Sequence, residues 1–419
     1  KWTKEQSEAI SARRGSVLVS AAAGSGKTAV LTRRVIERLT DEENPSGADR
    51  LLIVTFTKAA ASEMKTRISK ALEEEIKKDP GNERLVFQQM LLPSAKICTI
   101  DSFCSSLVRE HFEALDLSPD FRTADEGELE LLSQNALALT LEELYEKGEK
   151  CFLDLTELLF KGRDDSFLSE MILELYRQSV SYPFPERWLA EIAADYKDEK
   201  KIGESRFGKI IFDYANEAVD YCRDIVSSTK KMIAGDKELE KAFLKAAESD
   251  GAQLEFLHEK LLEGDWDEVR KAANRFEFVR RGSVSKEMKK EPDAPFLSDS
   301  RDRLKAVIQK TLLPLFCSGE EEFYDDMKFF APMTQSLCDA VNLYSKHFSE
   351  LKKEKQLADF NDIAHYALSL LVRETEDGWE RTELANELRE NFDEILIDEY
   401  QDTNKAQDML FTAVSKDNL

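Results

Sequence analysis

The chain has 419 residues, of which 42% are hydrophobic and 34% are charged, and its formal net charge is −24. This length predicts about two or three domains with ample core, and the composition is typical of globular proteins and excludes a largely disordered chain. No apolar run approaches the ~20 residues of a membrane helix, no signal peptide is visible, and the six cysteines have neither CxxC nor metal-site spacing.

The distribution of charge matters more than the total. Residues 1–120 contain 18 basic and 18 acidic side chains, so the whole negative surplus belongs to the rest of the chain. The acidity therefore does not exclude an anionic ligand in the first part of the chain. Scattered cysteines are most simply interpreted as reduced thiols of a cytoplasmic protein.

The first predicted elements are a short helix, a strand and a glycine-rich loop. Thr3 is placed to cap a helix that runs to about residue 12. Residues 16–20 (Ser-Val-Leu-Val-Ser) form a short apolar run that predicts a strand. They lead into residues 21–28, Ala-Ala-Ala-Gly-Ser-Gly-Lys-Thr, after which residues 29–39 have a helical pattern.

A strand, a loop of small residues and a helix are the setting that a phosphate-binding loop requires. Small residues let backbone N–H groups turn inward around phosphate oxygens, and the helix N-terminus adds partial positive charge there. Lys27 would reach the terminal phosphates, and the Thr28 hydroxyl would hold Mg²⁺. The alternative is a glycine-rich turn with a chance lysine, which the flanking elements disfavour.

Residues 51–57 and 96–101 are further apolar runs that predict buried strands, each followed by a helical pattern. Strands alternating with helices predict a doubly wound parallel sheet, whose ligands bind at the carboxyl ends of the strands. Aromatic and hydroxyl side chains at those ends suit single-stranded nucleic acid, because bases stack on rings and hydroxyls bond to phosphates. The residues predicted to contact DNA are Phe56, Thr57, Thr99, Ser102 and Phe103. For the two phenylalanines, a place in the core is an equally good interpretation.

Residues 126–390 have the three- and four-residue spacing of apolar side chains that predicts amphipathic helices, with few strand signals. Within them, residues 282–300 are rich in Lys, Glu, Ser, Pro and Asp and predict a mobile loop. Basic residues cluster in or beside it: Arg280, Arg281, Lys286, Lys289 and Lys290. A solvated loop is the simpler interpretation of this cluster, and contact with a phosphate backbone is the alternative.

The sheet is predicted to return near the end of the chain, where an apolar run over residues 392–397 leads into Asp398 and Glu399. Such a strand is typical of the second half of an ATP site. The first carboxylate would bind Mg²⁺ through water, and the second would position and deprotonate the attacking water. The alternative is a turn whose acids cap the next helix. Because the two halves lie far apart in the chain, the helical segment must be inserted into the nucleotide-binding domain.

These motifs together resemble those of superfamily 1 DNA helicases of the UvrD/Rep type, and most closely the AddA subunits of bacterial AddAB helicase–nucleases, which are related to RecB. The resemblance is carried by Gln6, residues 21–28, Thr-Phe-Thr-Lys-Ala-Ala-Ala-Ser-Glu-Met at 55–64, Thr-Ile-Asp-Ser-Phe-Cys at 99–104 and Asp-Glu-Tyr-Gln-Asp-Thr-Asn at 398–404. Residues 117–125 and 358–365 favour the AddA group. The chain departs from the family at Asp101, where many members have His, and at Lys58, a common Asn.

The resemblance implies ATP and Mg²⁺ as cofactors and assigns residues to them. ATP is expected to bind Gln6, Ala22, Ala23, Gly24, Ser25, Gly26, Lys27 and Thr28. Thr28 and Asp398 are the expected metal ligands, and Glu399, Lys27 and Gln401 the expected catalytic residues. The implied function is a 3′–5′ DNA helicase subunit in double-strand break processing, whose partners are single-stranded and duplex DNA and a protein of the AddB type. The alternative is a nucleotide-regulated module that binds DNA or a partner without turnover.

The expected fold is α/β: a RecA-like P-loop domain with a parallel sheet, interrupted by a large all-α inserted domain. Residues 1–122 and 386–419 are assigned to the RecA-like domain and residues 123–385 to the insertion. Nothing resembles the family's second RecA-like domain, with its arginine fingers, or its nuclease domain. The chain is therefore expected to be part of a longer protein, to hold half of an ATP site and to hydrolyse ATP weakly by itself.

Overall fold

The computed structural model describes residues 2–13, 15–22, 24–41, 46–159, 165–197, 200–416 and 418–419. The chain divides into two units, one of residues 1–189 and 339–419 and one of residues 190–338. None of the helices in these described ranges is long and apolar enough to cross a membrane.

The described residues are mostly helical. The strands are β1 (Leu51–Thr55), β2 (Lys96–Thr99), β3 (Arg122–Thr123), β4 (Leu357–Ala358), β5 (Val372–Thr375), β6 (Gly378–Arg381) and β7 (Glu394–Ile397). The α-helices are α1 (Lys4–Ser11), α2 (Lys27–Thr40), α3 (Lys58–Lys78), α4 (Glu83–Leu91), α5 (Ile100–Glu110), α6 (Glu126–Lys147), α7 (Lys150–Leu159), α8 (Ser166–Ser179), α9 (Pro185–Asp195), α10 (Arg206–Ile233), α11 (Lys237–Leu239), α12 (Lys245–Glu263), α13 (Trp266–Asn274), α14 (Asp293–Val307), α15 (Leu313–Leu315), α16 (Glu320–Glu354), α17 (Phe360–Leu371), α18 (Glu383–Asn391) and α19 (Lys405–Val414).

The main sheet has three parallel strands in the order β2–β1–β7. Leu51 of β1 pairs with Glu394 of β7, and Thr55 at the other end of β1 pairs with Thr99 of β2. β1 is buried along its whole length, as expected for a parallel strand covered on both faces. Because the three strands run the same way, the segments that follow them meet at one edge of the sheet.

Helices cover both faces of this sheet. On one face, Leu52 and Val54 of β1 pack with residues of α5, α17 and α19. On the other face, Leu51 and Ile53 pack with residues of α2, α3 and α4. This alternation follows from the pleat, which points successive side chains to opposite faces. α17 belongs to this core, although the sequence analysis placed it in the inserted segment.

Residues 16–20 differ from the prediction, because the structure has no strand there. Val17, Leu18 and Val19 expose 37%, 79% and 45% of their surface. Val17 N–H donates to the carbonyl of Leu419 at 3.1 Å. A short apolar segment becomes a strand only where a neighbour completes its ladder of hydrogen bonds, and no strand of the described residues pairs with this one.

The second unit is helical in its described residues. α10 packs with α12, α13 and α14 around a core that includes Phe212, Trp266 and Phe316. A smaller core around Phe243 and Val284 joins the segment after α13 to a π-helical turn between α11 and α12. The predicted mobile loop at residues 282–300 is therefore partly packed, and α14 occupies its second half.

Candidate nucleotide and nucleic-acid site

The loop before α2 has the backbone of an anion-binding turn. Gly24 and Gly26 adopt φ of 77° and 87°, in the left-handed region that favours glycine. Gly26 is the N-cap of α2, and its carbonyl accepts from Val30 N–H at 3.0 Å. The first N–H groups of the helix have no partners within it, so they remain available to an anion. Of the predicted loop residues, Ala23 lies outside the described part.

Lys27 bends back over this loop. Its ammonium donates to the carbonyl of Ala21 at 3.0 Å, so the charge lies beside the glycine-rich turn. Thr28 follows in the first turn of α2 and is half-buried. The loop residues Ala21, Ala22 and Ser25 are exposed. Together, exposed small residues, an ammonium and a helix N-terminus can hold a phosphate group.

The short helix α1 brings Gln6 against the same loop. Gln6 and Thr3 form a capping box, in which the Gln6 amide oxygen accepts from Thr3 N–H at 2.9 Å. The amide nitrogen of Gln6 donates to the carbonyl of Ser25 at 3.2 Å. The predicted adenine-binding residue therefore lies at the edge of the phosphate-type loop.

The carboxyl end of β7 supplies the predicted acidic pair. Asp398 N–H donates to the carbonyl of Val54 at 2.9 Å, which holds the aspartate beside β1. Burial first, and then the charge of Glu399, raise the pKa of Asp398, whereas the charge of Lys27 lowers it. Because Lys27 affects this carboxyl group, the structure brings the loop lysine and the strand-end aspartate into electrostatic reach, as the sequence predicts.

Glu399 has an unusual backbone. Its φ of 57° lies in the left-handed region, which costs a non-glycine residue conformational energy. The amide nitrogen of Gln401 donates to the Glu399 carboxylate in a close contact. The two predicted catalytic residues after Asp398 are thus in contact, and both are exposed to solvent. An exposed carboxylate at this position can accept a proton from a water molecule.

No group of three or more His, Cys, Asp or Glu side chains that could hold a metal occurs among the described residues. Thr28 and Asp398 alone offer only two protein oxygens. This is consistent with Mg²⁺ sites that use one or two protein ligands and complete the shell with phosphate oxygens and water.

At the ends of β1 and β2, the structure separates the predicted DNA residues into exposed and buried ones. Phe56 is 56% exposed, although it follows a buried strand. Thr57 is exposed, and its hydroxyl caps α3 by accepting from Ala60 N–H at 3.1 Å. Exposure of the aromatic ring favours the surface role of Phe56 over the core alternative.

Phe103 and Thr99 differ from this prediction. Phe103 is 3% exposed, and its ring lies 6.4 Å from those of Phe392 and Phe411. Because the ring is enclosed by the core, it cannot stack on a base, and the prediction of a DNA contact by Phe103 is wrong. Thr99 is 5% exposed, and its hydroxyl serves as the N-cap of α5 by accepting from Ser102 N–H. Ser102, which is half-buried, keeps more exposed surface than Thr99.

The second unit carries a set of cations that the sequence analysis identified in part. Gly282 N–H donates to the carbonyl of Ala242 at 2.8 Å, and Ser285 N–H donates to Glu238 at 2.5 Å. These bonds place residues 280–290 against residues 237–245. The two segments expose eight basic residues, here called the basic surface: Lys237, Lys241, Lys245, Arg280, Arg281, Lys286, Lys289 and Lys290.

The basic surface is not neutralised by its own acids. Within the described part of the chain, none of its eight members has an ion pair, and Arg281 instead lies 5.2 Å from the ring centroid of the buried Phe243. Glu238 and Glu240 accept backbone N–H groups of Ser285 and Gly235. The lysines of residues 237–245 recur every four positions along the helix, which is the signal that could have added them.

The sequence analysis missed a buried ion pair beneath the loop. Arg34 of α2 donates to Glu394 of β7 in a close contact. Glu394 is 4% exposed. The signal was a carboxylate within an otherwise apolar strand, Glu-Ile-Leu-Ile, because a buried charge requires a partner.

The family model described as UvrD/REP helicase N-terminal domain matches residues 2–419. The chain is 36% identical over 424 residues to an ATP-dependent helicase/nuclease subunit of the AddA type from Acetivibrio thermocellus, covering 99% of this chain and 34% of the relative. It is 35% identical over 425 residues to the protein of that name from Ruminiclostridium cellulolyticum, covering 100% and 34%. The corresponding protein of Lachnoclostridium phytofermentans is 38% identical over 434 residues, covering 99% and 30%. The chain thus spans about a third of the length of these relatives.

Proposed function

Because the chain belongs to the UvrD/REP helicase family, we propose that it is the ATP- and DNA-binding part of an ATP-dependent helicase subunit. The subunit would move 3′–5′ along DNA in a helicase–nuclease that processes double-strand breaks, together with an AddB-type partner. The observation that carries the proposal is the position of the Lys27 loop and the Asp398–Glu399 pair, where the charge of Lys27 shifts the pKa of Asp398.

The proposed site uses the chain's own groups in separate roles. The loop N–H groups and the Lys27 ammonium bind phosphate oxygens, and Gln6 contacts the base. Thr28 and Asp398 hold Mg²⁺, which neutralises charge on the phosphates when it is bound. Glu399 accepts a proton from the attacking water, and Gln401 holds the Glu399 carboxylate in place, as their contact suggests. A raised pKa of Asp398 makes metal binding depend on pH, because the metal needs the deprotonated carboxylate.

Single-stranded DNA is proposed to cross the edge of the sheet beside this site. Phe56 offers an exposed ring for stacking, worth about 1–3 kcal/mol for one base. Thr57 and Ser102 offer hydroxyls to phosphates. Since residues 1–120 carry no net charge, binding there should depend only weakly on salt.

The basic surface is proposed as a second DNA contact, to duplex phosphates. It offers unpaired cations, but its aromatic ring, Phe243, is buried at 2% exposure, so base stacking is excluded there. A contact of cations without rings suits the outside of a double helix. Duplex affinity should fall when Lys286, Lys289 and Lys290 are replaced by glutamate. The salt slope should also fall by about 0.9 for each phosphate that the variant no longer neutralises.

The matched control for this triple variant is Lys209, Lys230 and Lys231 replaced by glutamate, since these are exposed lysines of α10 outside the basic surface. Single-stranded affinity should be unaffected in both variants. Equal loss of duplex affinity in both would show that net charge, rather than this surface, governs the contact.

The proposed function is tested by two substitutions in the full-length protein. Glu399→Gln should retain ATP·Mg²⁺ binding and abolish unwinding, whereas Asp398→Ala should also weaken Mg²⁺-dependent binding. Glu390→Gln, at an acidic residue with 78% side-chain exposure, is the control and should unwind like wild type. Wild-type protein that binds DNA with no nucleotide turnover, unchanged by Glu399→Gln, would favour the binding module over the motor.

A further inference from the structure

One arginine joins the three elements that carry the proposed nucleotide residues. Arg34, in the middle of α2, donates through Nη1 to the carbonyl of Ala9 in α1 at 2.5 Å. Through Nε it donates to Oε1 of Glu394 in β7. Nε of Arg38 lies 2.9 Å from the other oxygen of Glu394, although the two are not aligned as a hydrogen bond.

This link is nearly closed to solvent. The side chains of Arg34 and Glu394 are 14% and 5% exposed. Taking either charge out of water is unfavourable unless it is paired, so each holds the other in place. The guanidinium is planar and presents donors along two edges, and here one edge faces the carboxylate and the other the carbonyl. A lysine has a single donor centre and cannot reproduce this fork.

Each joined element carries one part of the site. Ala9 lies three residues, about one helical turn, after Gln6. α2 begins at Lys27. β7 ends at Ile397, directly before Asp398. α1 has only one buried residue, Ile10, so the Arg34 bond is a substantial part of what fixes its position.

We propose that Arg34 is a positioning residue that fixes α1 against the phosphate-type loop and thereby determines selectivity for the nucleotide base. This inference rests on the proposed function of the site. The Gln6 amide presents a donor and an acceptor and is held by Thr3 and Ser25. An amide matches the amino group and ring nitrogen of adenine, whereas guanine presents a carbonyl oxygen in place of the amino group. A displaced α1 would lose that discrimination while the phosphate contacts of Lys27 remain.

The test is Arg34→Lys in the full-length protein, with the dissociation constants of ATP and GTP measured in Mg²⁺ by calorimetry. Losing one charge-assisted hydrogen bond should weaken ATP binding by about tenfold. GTP binding should change little, so the ATP preference should fall by a similar factor. Turnover at saturating ATP should be largely retained, because the acidic pair and Lys27 are untouched.

Arg33→Lys is the matched control. Arg33 is the neighbouring residue of the same helix, but it contacts Glu37 and Glu75, both at 3.2 Å, rather than α1 or β7. Its variant should keep the wild-type affinities. If Arg34→Lys proves too unstable, the double variant Arg34→Lys, Glu394→Gln removes the buried carboxylate and should show the same loss of ATP preference.

A double-mutant cycle with Gln6→Ala tests whether Arg34 acts through α1. Adding Arg34→Lys to Gln6→Ala should cause little further loss of ATP affinity. The inference is overturned if the two losses add, or if Arg34→Lys lowers the melting temperature while the ATP preference stays at the wild-type value. Wild-type protein that binds neither nucleotide would instead overturn the proposed function.

Discussion

Replacing Lys352 with methionine is expected to lower the free energy of unfolding by about 3–5 kcal/mol, the typical cost of breaking a buried ion pair. Lys352 is 2% exposed, and its ammonium donates to Asp359 at 2.8 Å and to Asp362 at 2.7 Å. The two carboxylates also form the capping box of α17, each accepting the other residue's N–H at 2.8 Å. The substitution would leave two neighbouring carboxylates buried without a cation.

The loss should depend on pH. Burial first raises the pKa of Asp362, and so does the charge of Asp359, whereas the Lys352 ammonium lowers it. Without the ammonium this pKa rises further. A carboxyl group whose pKa is raised on folding costs stability as the pH rises from its ordinary value through the raised one. The Lys352→Met variant should therefore lose less stability at about pH 5 than at about pH 8.

Urea unfolding followed by circular dichroism at both pH values measures these losses. Lys353→Met is the control, because Lys353 is the next residue but is 64% exposed and lies 3.6 Å from the exposed Asp116. Exposed pairs typically contribute about 0–1 kcal/mol. The reasoning is refuted if the two variants lose the same stability, or if the loss in Lys352→Met is the same at both pH values.

Further predictions concern cysteines and glycines. A maleimide should label the exposed Cys151 and Cys317 rapidly in the native protein, but not Cys104, since burial raises the pKa of that thiol to about 12; mass spectrometry of timed samples checks this, and early labelling of Cys104 would disprove it. Gly208→Ala should destabilise by about 1–3 kcal/mol or more, because its Cβ would lie 1.6 Å from a backbone carbonyl oxygen. Gly127→Ala, in a helix with ordinary contacts, should stabilise by about 0.4–1 kcal/mol. Equal melting temperatures for the two glycine variants would contradict the packing argument.

Helices with strong local signals could be predicted well from the sequence. The helix predicted over residues 58–78 is observed as Lys58–Lys78, because Thr57 caps its start and Asp79 and Pro80 interrupt its pattern. The helix predicted from Ser102 begins earlier, at Ile100, because Thr99 rather than Asp101 provides the N-cap. These boundaries depend on nearby side chains, so the information lies within a few residues.

The strand before the glycine-rich loop could not be judged from the sequence, because the identity of a strand depends on its neighbours. Leu52 and Leu18 both lie in short apolar runs, yet Leu52 is buried between β2 and β7 and Leu18 is 79% exposed. The same limit applied to Phe56 and Phe103. Both follow strands, and only the structure shows that α17 and α19 enclose Phe103 and leave Phe56 exposed.

The site was predicted best where chemistry fixes both residue type and spacing. Gly24, Gly26 and Lys27 have the backbone and contacts that the motif implies. The Arg34–Glu394 link lay outside the prediction, because it joins residues 360 positions apart. Pairing of that kind is decided by tertiary contacts, which no local pattern encodes.

The central claim is that the glycine-rich loop and the end of β7 form one site for ATP and Mg²⁺. The most direct measurement is calorimetric titration of ATP into the 419-residue chain with Mg²⁺ or with EDTA, for wild type, Lys27→Ala and the exposed control Lys70→Ala. Wild type and the control should bind ATP more tightly in Mg²⁺ than in EDTA, and Lys27→Ala should bind at least about tenfold more weakly. A wild-type chain that binds no ATP, or a Lys27→Ala variant with the affinity of the control, would contradict the account.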